Sequence, residues 1–408
     1  MKTFSFILLY IIISPFCYGQ TIQFDTLLNK AKAEFNKDFD NQDYGAAINY
    51  LNEAIILNPK NVEAHYLLAY SYSRFNSKDA TSIPEMQVQL VVKATSELQK
   101  VISLSPKYDG PFLILDPYSK ITSEWGSLAF SYQVKNKIDS VQWALKEGKK
   151  KGGFDDFILS INRAVLNSCG KNAILISSGD NYTIPLNYLQ KAENLRTDVS
   201  VVDIAMLNTT WYPKILQKQS DISFGAPEKL LDSLDYMTWA DSTISIPIST
   251  TGKTFTWVMK PSYQQNYILR SDILALLLLH RNQFKREVYF TKGFIKEEQL
   301  GLDSFLLRHP MVDKLNVNDN TPLSLQEYIN DLKKYIPTFT SVNKNSNDEL
   351  LPIDLIRYDL IDLFGEDALN TEPEKAKQLL ELLNTYLPDD KYPCNSANLS
   401  DFLNSLNE

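Results

Sequence analysis

The 408-residue chain, with 44% hydrophobic and 22% charged residues, is long enough for two or three domains and too apolar to be disordered throughout. A formal net charge of −8 excludes nucleic-acid binding as a main role, because no basic surplus exists to neutralise phosphates. The three histidines of the chain, and only two cysteines after Cys17, argue against a zinc site; no metal or cofactor is implied.

Residues 1–19 have the layout of a secretory signal peptide. Lys2 is the positive head, Phe4 to Phe16 is an apolar run too short to span a bilayer, and Gly19 offers a cleavage position. Phe16 stands where a lipoprotein signal needs a small residue before Cys17, which argues against an outer-membrane lipoprotein. No later stretch is apolar enough to cross a membrane. The expectation is an exported chain, periplasmic or extracellular, in which an oxidising environment would allow a Cys169–Cys394 disulfide.

Residues 20–151 carry helical repeats. Ala47, Leu51, Ala54 and Pro59 fit an A-x3-L-x2-A-x4-P spacing, in which small residues let paired helices approach and proline ends the second helix. The next first helix continues through Leu68, Ala69 and Tyr72. A second copy, Ala94, Leu98, Val101 and Pro106, comes late, so Ser77 to Glu85 is an insertion. Trp125, Leu128, Ala129 and Tyr132 open a third unit, followed by a helix through Leu145. On these residues the segment resembles the tetratricopeptide repeat family, which implies a concave protein-binding groove. Tyr44, Tyr50, Tyr66 and Tyr70 could line that groove for a peptide partner, or could be packing between repeats. Lys149-Lys150-Lys151 ends a helix, where cations complement its dipole.

Gly152-Gly153 marks the start of an α/β domain, residues 152–337. Phe154 to Ser168 has helical periodicity, Ala173 to Ile176 and Val199 to Val202 read as buried strands, and the helix between them carries Leu186, Leu189 and Ala192 on its packed face. Thr183 is placed to cap this helix, with Pro185 in its first turn. The strand–helix–strand unit implies a parallel, Rossmann-like pair, and the fold class is α+β multidomain with a mixed sheet. Thr251-Gly252-Lys253-Thr254 resembles a phosphate-binding loop but lacks its earlier glycine; flanking alternation makes it a hairpin turn. Asn316, Asn318, Asn320 and Glu327 have calcium-loop spacing, but Thr321 replaces the required glycine, and Ser324 with Glu327 forms a capping box opening the helix Leu325 to Tyr335. A polar loop (338–349) then leads to a C-terminal helical segment (350–408).

Gly179-Asp180-Asn181, Pro185-Leu186, Arg196-Thr197-Asp198, Leu207-Asn208-Thr209, Trp211-Tyr212, Arg270 and Arg286 resemble the extracytoplasmic domain of a bacterial multi-spanning family of unknown function related to protein O-mannosyltransferases. In that family the transfer chemistry is assigned to the membrane region, which this chain lacks. Two acids tend to stand in the family where Tyr182 and Thr210 stand here, which weakens any metal or acid–base reading.

The remaining candidate site is the loop past the first strand, Ser178, Gly179, Asp180, Asn181 and Thr183, together with Asp203 and Asn208 at the end of the second. Open α/β sheets bind ligands at this edge. Two carboxylates there could hold a cation, bind a glycan's hydroxyls or share acid–base work; equally, Asp180 and Asn181 could cap a turn and a helix. Nothing pairs a histidine with a nucleophile, so no catalytic residue is assigned. The expected function is an exported binding or scaffold protein, with a glycan-acting enzyme at Asp180/Asp203 or an accessory subunit of a membrane glycosyltransferase as the alternatives.

Overall fold

The computed structural model describes residues 21–318, 321–346 and 348–406; the signal-peptide reading (1–19) and Asn320 lie outside them. The chain begins with helices α1 (21–35), α2 (Tyr44–Leu57), α3 (Val62–Asn76), α4 (Val88–Leu104), α5 (Pro117–Val134) and α6 (Ile138–Lys150). From α2 onward each packs on the next, the arrangement of helical repeats. The small and apolar positions expected to form the seams are sealed: Ala47, Leu51, Ala54, Ala94 and Leu98 are fully buried. The insertion after α3 forms a 3-10 turn, Ala80–Glu85, capped by Asp79.

After α7 (Asp156–Ser168), strand β1 (Ile174–Ser177), helix α8 (Asp180–Ala192) and strand β2 (Ser200–Asp203) form the expected unit, and the two strands are parallel, Ser177 opposite Asp203. Beyond α9 (Tyr212–Gln219) and α10 (Glu228–Ser233), β3 (Met237–Thr238) awaits a later partner. Strands β4 (Ser242–Pro247) and β5 (Thr254–Met259) are an antiparallel hairpin. Gly252, at φ 70°, supplies the left-handed residue of its turn, so Thr251–Thr254 is a turn. Then come β6 (Tyr267–Ile268), which pairs with β3, and helix α11 (Arg270–Asn282). Strands β7 (Val288–Thr291), β8 (Leu306–Arg308) and β9 (Val312–Leu315) complete a five-stranded mixed sheet of order β2-β1-β7-β9-β8. Helix α12 (Leu325–Tyr335) opens with the expected Ser324–Glu327 box. The chain ends in α13 (Leu351–Phe364), α14 (Glu366–Thr371), α15 (Pro373–Tyr386) and α16 (Ala397–Ser405).

The core does not divide at Gly152-Gly153. One buried cluster fills α1 to α4, around Leu51, Tyr66 and Ala94. A second runs without a break from Trp125 and Leu128 through Leu175 and Leu279 to Leu332 and Leu383. Helix α5 is shared by both halves, which is why even its polar residues are buried. Gly126 makes the sharing sterically feasible: a Cβ there would lie 2.2 Å from Cγ2 of Ile184 on α8. The polar loop after α12 also docks, since Ser346 is fully buried and donates to Asp116 at the head of α5, 2.5 Å away.

Among the described residues, no helix is long and apolar enough to cross a membrane. Cys169 and Cys394 are free thiols, each donating to a nearby backbone carbonyl, of Val165 and Ser396.

Candidate functional site

The carboxyl edge of β1 and β2 carries a chain of polar side chains. Ser177 and Thr183 hydroxyls lie 2.8 Å apart, and Thr183 donates to Asp203 Oδ2. The Met206 amide donates to Asp203 Oδ1 at 2.8 Å, and the Asp203 amide donates to the Tyr212 hydroxyl at 2.9 Å. Both Asp203 oxygens are thus taken, and the side chain is buried. Burial pushes its carboxyl up to about 6, aided by the nearby Asp180 charge and opposed by the Thr183 and Met206 donors. Such an acid holds the ends of two strands and the following turns together.

Helix α8 starts four residues earlier than a Thr183 cap would place it, at Asp180 rather than Ile184. Gly179, at φ 83°, is the residue before the helix and makes no side-chain cap. Thr183 therefore lies inside the helix and turns to Asp203, and Pro185 is in the second turn, not the first. A proline there removes one helical donor and leaves the carbonyl four residues back unpaired. That carbonyl, of Asn181, accepts instead from the Asn162 side chain at 2.9 Å.

The other loop residues point elsewhere. Ser178 is half-buried, and Asp180 is exposed at the lip of a cleft between α8 and helices α3 and α5. The Asn181 amide donates to the carbonyl of Asp348 at 3.3 Å. Asp116 and Asp348 exchange backbone-to-carboxylate hydrogen bonds of 2.8 and 3.2 Å, and burial followed by the Asp116 charge pushes Asp348 up to about 6. Asn208 accepts from the Ser271 amide at 2.9 Å, capping α11. The structure thus brings Asp180 and Asp203 near each other but turns them to opposite sides, one toward solvent and one into the core. Among the described residues no group of three or more His, Cys, Asp or Glu side chains could hold a metal.

The sheet edge carries one constellation with no sequence signal. Lys292, just past β7, is buried with Nζ 2.5 Å from both Asp313 of β9 and Asp359 of α13. Tyr328 of α12 donates to Asp359 at 3.2 Å. Burial works against the ammonium, but the two carboxylates outweigh it and hold its pKa above the ordinary value. This network locks the C-terminal helices onto the sheet; its members are up to 67 residues apart, too far for any spacing rule.

Arginines at the resembling positions tie down carbonyls. Arg270 donates to Leu207, Thr209 and Leu231, and Arg286 to Asn172, Ala173 and Asp221. Arg196 holds Leu166, Cys169 and Gly170. The Trp211 indole donates to the Ala80 carbonyl at 2.9 Å, joining the domain to the repeat insertion. A cavity of about 500 Å³ lies at the opposite, amino edge of the sheet beside Asn172, Asp198 and Arg286; Arg286 is committed to its clamp, and Asp198 pairs with Arg196 and accepts from the Asn172 amide at 3.0 Å.

In the repeats, the four tyrosines do not form one open row. Tyr66 and Tyr70 are buried and hold a segment of the chain itself. The Tyr66 hydroxyl accepts from the Leu113 amide at 3.0 Å, and both hydroxyls donate to the Leu115 carbonyl at 2.9 and 3.0 Å. Tyr108 stacks on Tyr66 at 4.5 Å. Tyr44 is buried and donates to Gln42, while Tyr50 is half-buried with the Lys30 ammonium 5.5 Å from its ring.

A family model described as TMEM260-associated domain 2 matches residues 159–253. The match covers under a quarter of the chain, from within α7 to the β4–β5 turn, and includes both loops at the sheet edge. No curated protein matches the chain.

Proposed function

We propose that the chain is an exported binding or scaffold protein of a bacterial envelope, with tetratricopeptide-type repeats that hold a protein partner. The observation carrying this reading is the way Tyr66 and Tyr70 grip the backbone of Leu113 to Leu115. Hydroxyls spaced one helical turn apart serve the amides and a carbonyl of a bent backbone segment, polar chemistry that a repeat surface can equally offer to a partner's chain. Phe112, Leu113 and Ile114 remain 43%, 37% and 60% exposed beside them, an apolar surface for a partner to cover. The α/β domain supplies a rigid body fused to the repeats through α5 and a place for a small ligand. An enzyme acting through Asp203 is disfavoured by the commitment of both its oxygens.

A second reading, an accessory subunit of a membrane glycosyltransferase, draws on the domain match at residues 159–253, since the resembling family carries such a domain beside its membrane region. Affinity capture from envelope extract separates the two. The scaffold reading expects a specific soluble or peripheral partner, whereas recovery of a multi-spanning protein would favour the accessory subunit. Recovery of nothing specific would overturn both.

A further inference from the structure

We infer that the cleft between α3, α5 and the first turn of α8 is a binding site for a free α-amino acid. The cleft measures about 240 Å³, smaller than the roughly 300 Å³ at which drug-sized pockets begin, and has room for one small molecule. Its floor is an ion pair one helical turn apart on α5: Lys120 and Glu124, 8% and 3% exposed, with Nζ 2.9 Å from Oε1. Sequestering such a pair gives little net stability, because the lost hydration offsets the attraction.

Only half of the Glu124 carboxylate is satisfied. Its second oxygen, Oε2, is buried with no hydrogen-bond partner, an uncompensated desolvation of a charged acceptor. Glu124 lines the cleft, and a donor that reaches Oε2 from there would remove that cost. Asp180, exposed at the lip, adds a second carboxylate; a third, Asp79, is occupied in capping the Ala80–Glu85 turn. On the α3 wall, the Arg74 guanidinium is positioned by donating Nη1 to the Lys78 carbonyl at 2.7 Å. It forms no ion pair among the described residues, and the Ser73 and Ser123 side chains flank it and the floor.

The lining therefore asks for two things at once: a donor-rich cation for Glu124 and Asp180, and an anion for Arg74. An α-ammonium and α-carboxylate on adjacent atoms of one small molecule meet both demands. A neutral sugar meets neither charge. It would also lack a stacking platform, since Tyr70 is the one aromatic side chain lining the cleft and the Lys120 ammonium already sits 4.9 Å from its ring centroid. The assignment rests on the ligand-holding part of the proposed function and not on the protein partner.

Isothermal titration calorimetry of the full chain with each of the standard amino acids, and with glucose and mannose as neutral controls, tests it. The expected result is saturable binding of at least one amino acid, weakened about tenfold or more, or about 1.4 kcal/mol, by Glu124→Gln and by Arg74→Gln. Arg74 is only half-buried, so its variant carries the test if Glu124→Gln fails to fold. No amino acid binding up to about 10 mM, binding indifferent to Arg74→Gln, or equal binding of the neutral sugars would overturn the inference. No partner protein is present in the titration, so its failure leaves the scaffold reading standing.

Discussion

Asn162 donates its side-chain amide to the carbonyl of Asn181, 2.9 Å away, the acceptor that Pro185 leaves without a helical donor. A fully buried asparagine on α7 thus completes the hydrogen bonding of α8 at the loop nearest the sheet edge. Replacing Asn162 by alanine strands a part-buried carbonyl and should cost about 1 kcal/mol in urea unfolding. In a Pro185→Ala background, where residue 185 regains its N–H, the same substitution should cost measurably less. Equal costs in both backgrounds would show that the pairing does not compensate for the proline.

Gly126 sets how closely α5 and α8 approach. Gly126→Ala forces a methyl to within 2.2 Å of Ile184 Cγ2, and Ile184 is β-branched and cannot swing away. The expected loss is about 1–3 kcal/mol, seen as a lower melting temperature. Adding Ile184→Ala should make the double variant more stable than the sum of the single losses. Strict additivity would mean that the helices separate without strain.

His65 makes the repeats pH-dependent. Its ring nitrogens lie 2.6 Å from Glu97 Oε2 and 3.0 Å from the Pro59 carbonyl oxygen, both acceptors, so the doubly protonated ring serves both. Burial alone lowers the imidazole's pKa, but Glu97 and Pro59 outweigh it and hold it above its ordinary 6.5. A raised folded value means the stabilisation is complete below 6.5 and is lost as pH rises through the folded value. Unfolding between about pH 6 and about pH 8.5 should show stability falling in wild type and a flatter profile in His65→Gln. Identical profiles would remove His65 from the account.

Asp203 has the same sign for a different reason. Burial raises its carboxyl from 3.8 to about 6, so its contribution is greatest below 3.8 and is lost as pH climbs through about 6. The stability of wild type minus that of Asp203→Asn should therefore grow as pH falls from 7 toward 4. A difference that shrinks over that range would mean Asp203 is held as a carboxylate, as a catalytic or cation-binding acid would be.

Local patterns are legible where a short stretch contains both partners. Ala47, Leu51 and Ala54 share one helix face, Thr251 to Thr254 lie between alternating strands, and Ser324 caps with Glu327 three residues on. The sequence misleads where the deciding partner is remote. Thr183 looked like a cap because its acceptor, Asp203, is 20 residues away, and the start of α8 moved with it. The loop after α12 looked like a polar separator because Asp116, which buries Ser346, lies 230 residues earlier. Lys292, Asp313 and Asp359 converge only through the sheet and α13. Tyr66 and Tyr70 were visible as a pair, but nothing local shows that the chain's own Leu113 to Leu115 would meet their hydroxyls.

The central claim is that the repeats present a protein-binding surface beside the segment held by Tyr66 and Tyr70. Its most direct test compares affinity capture from envelope extract by wild type and by the double variant Phe112→Ser, Leu113→Ser. The account predicts a specific partner recovered by wild type and lost by the variant, with melting temperatures alike. Equal recovery by a folded variant would contradict it.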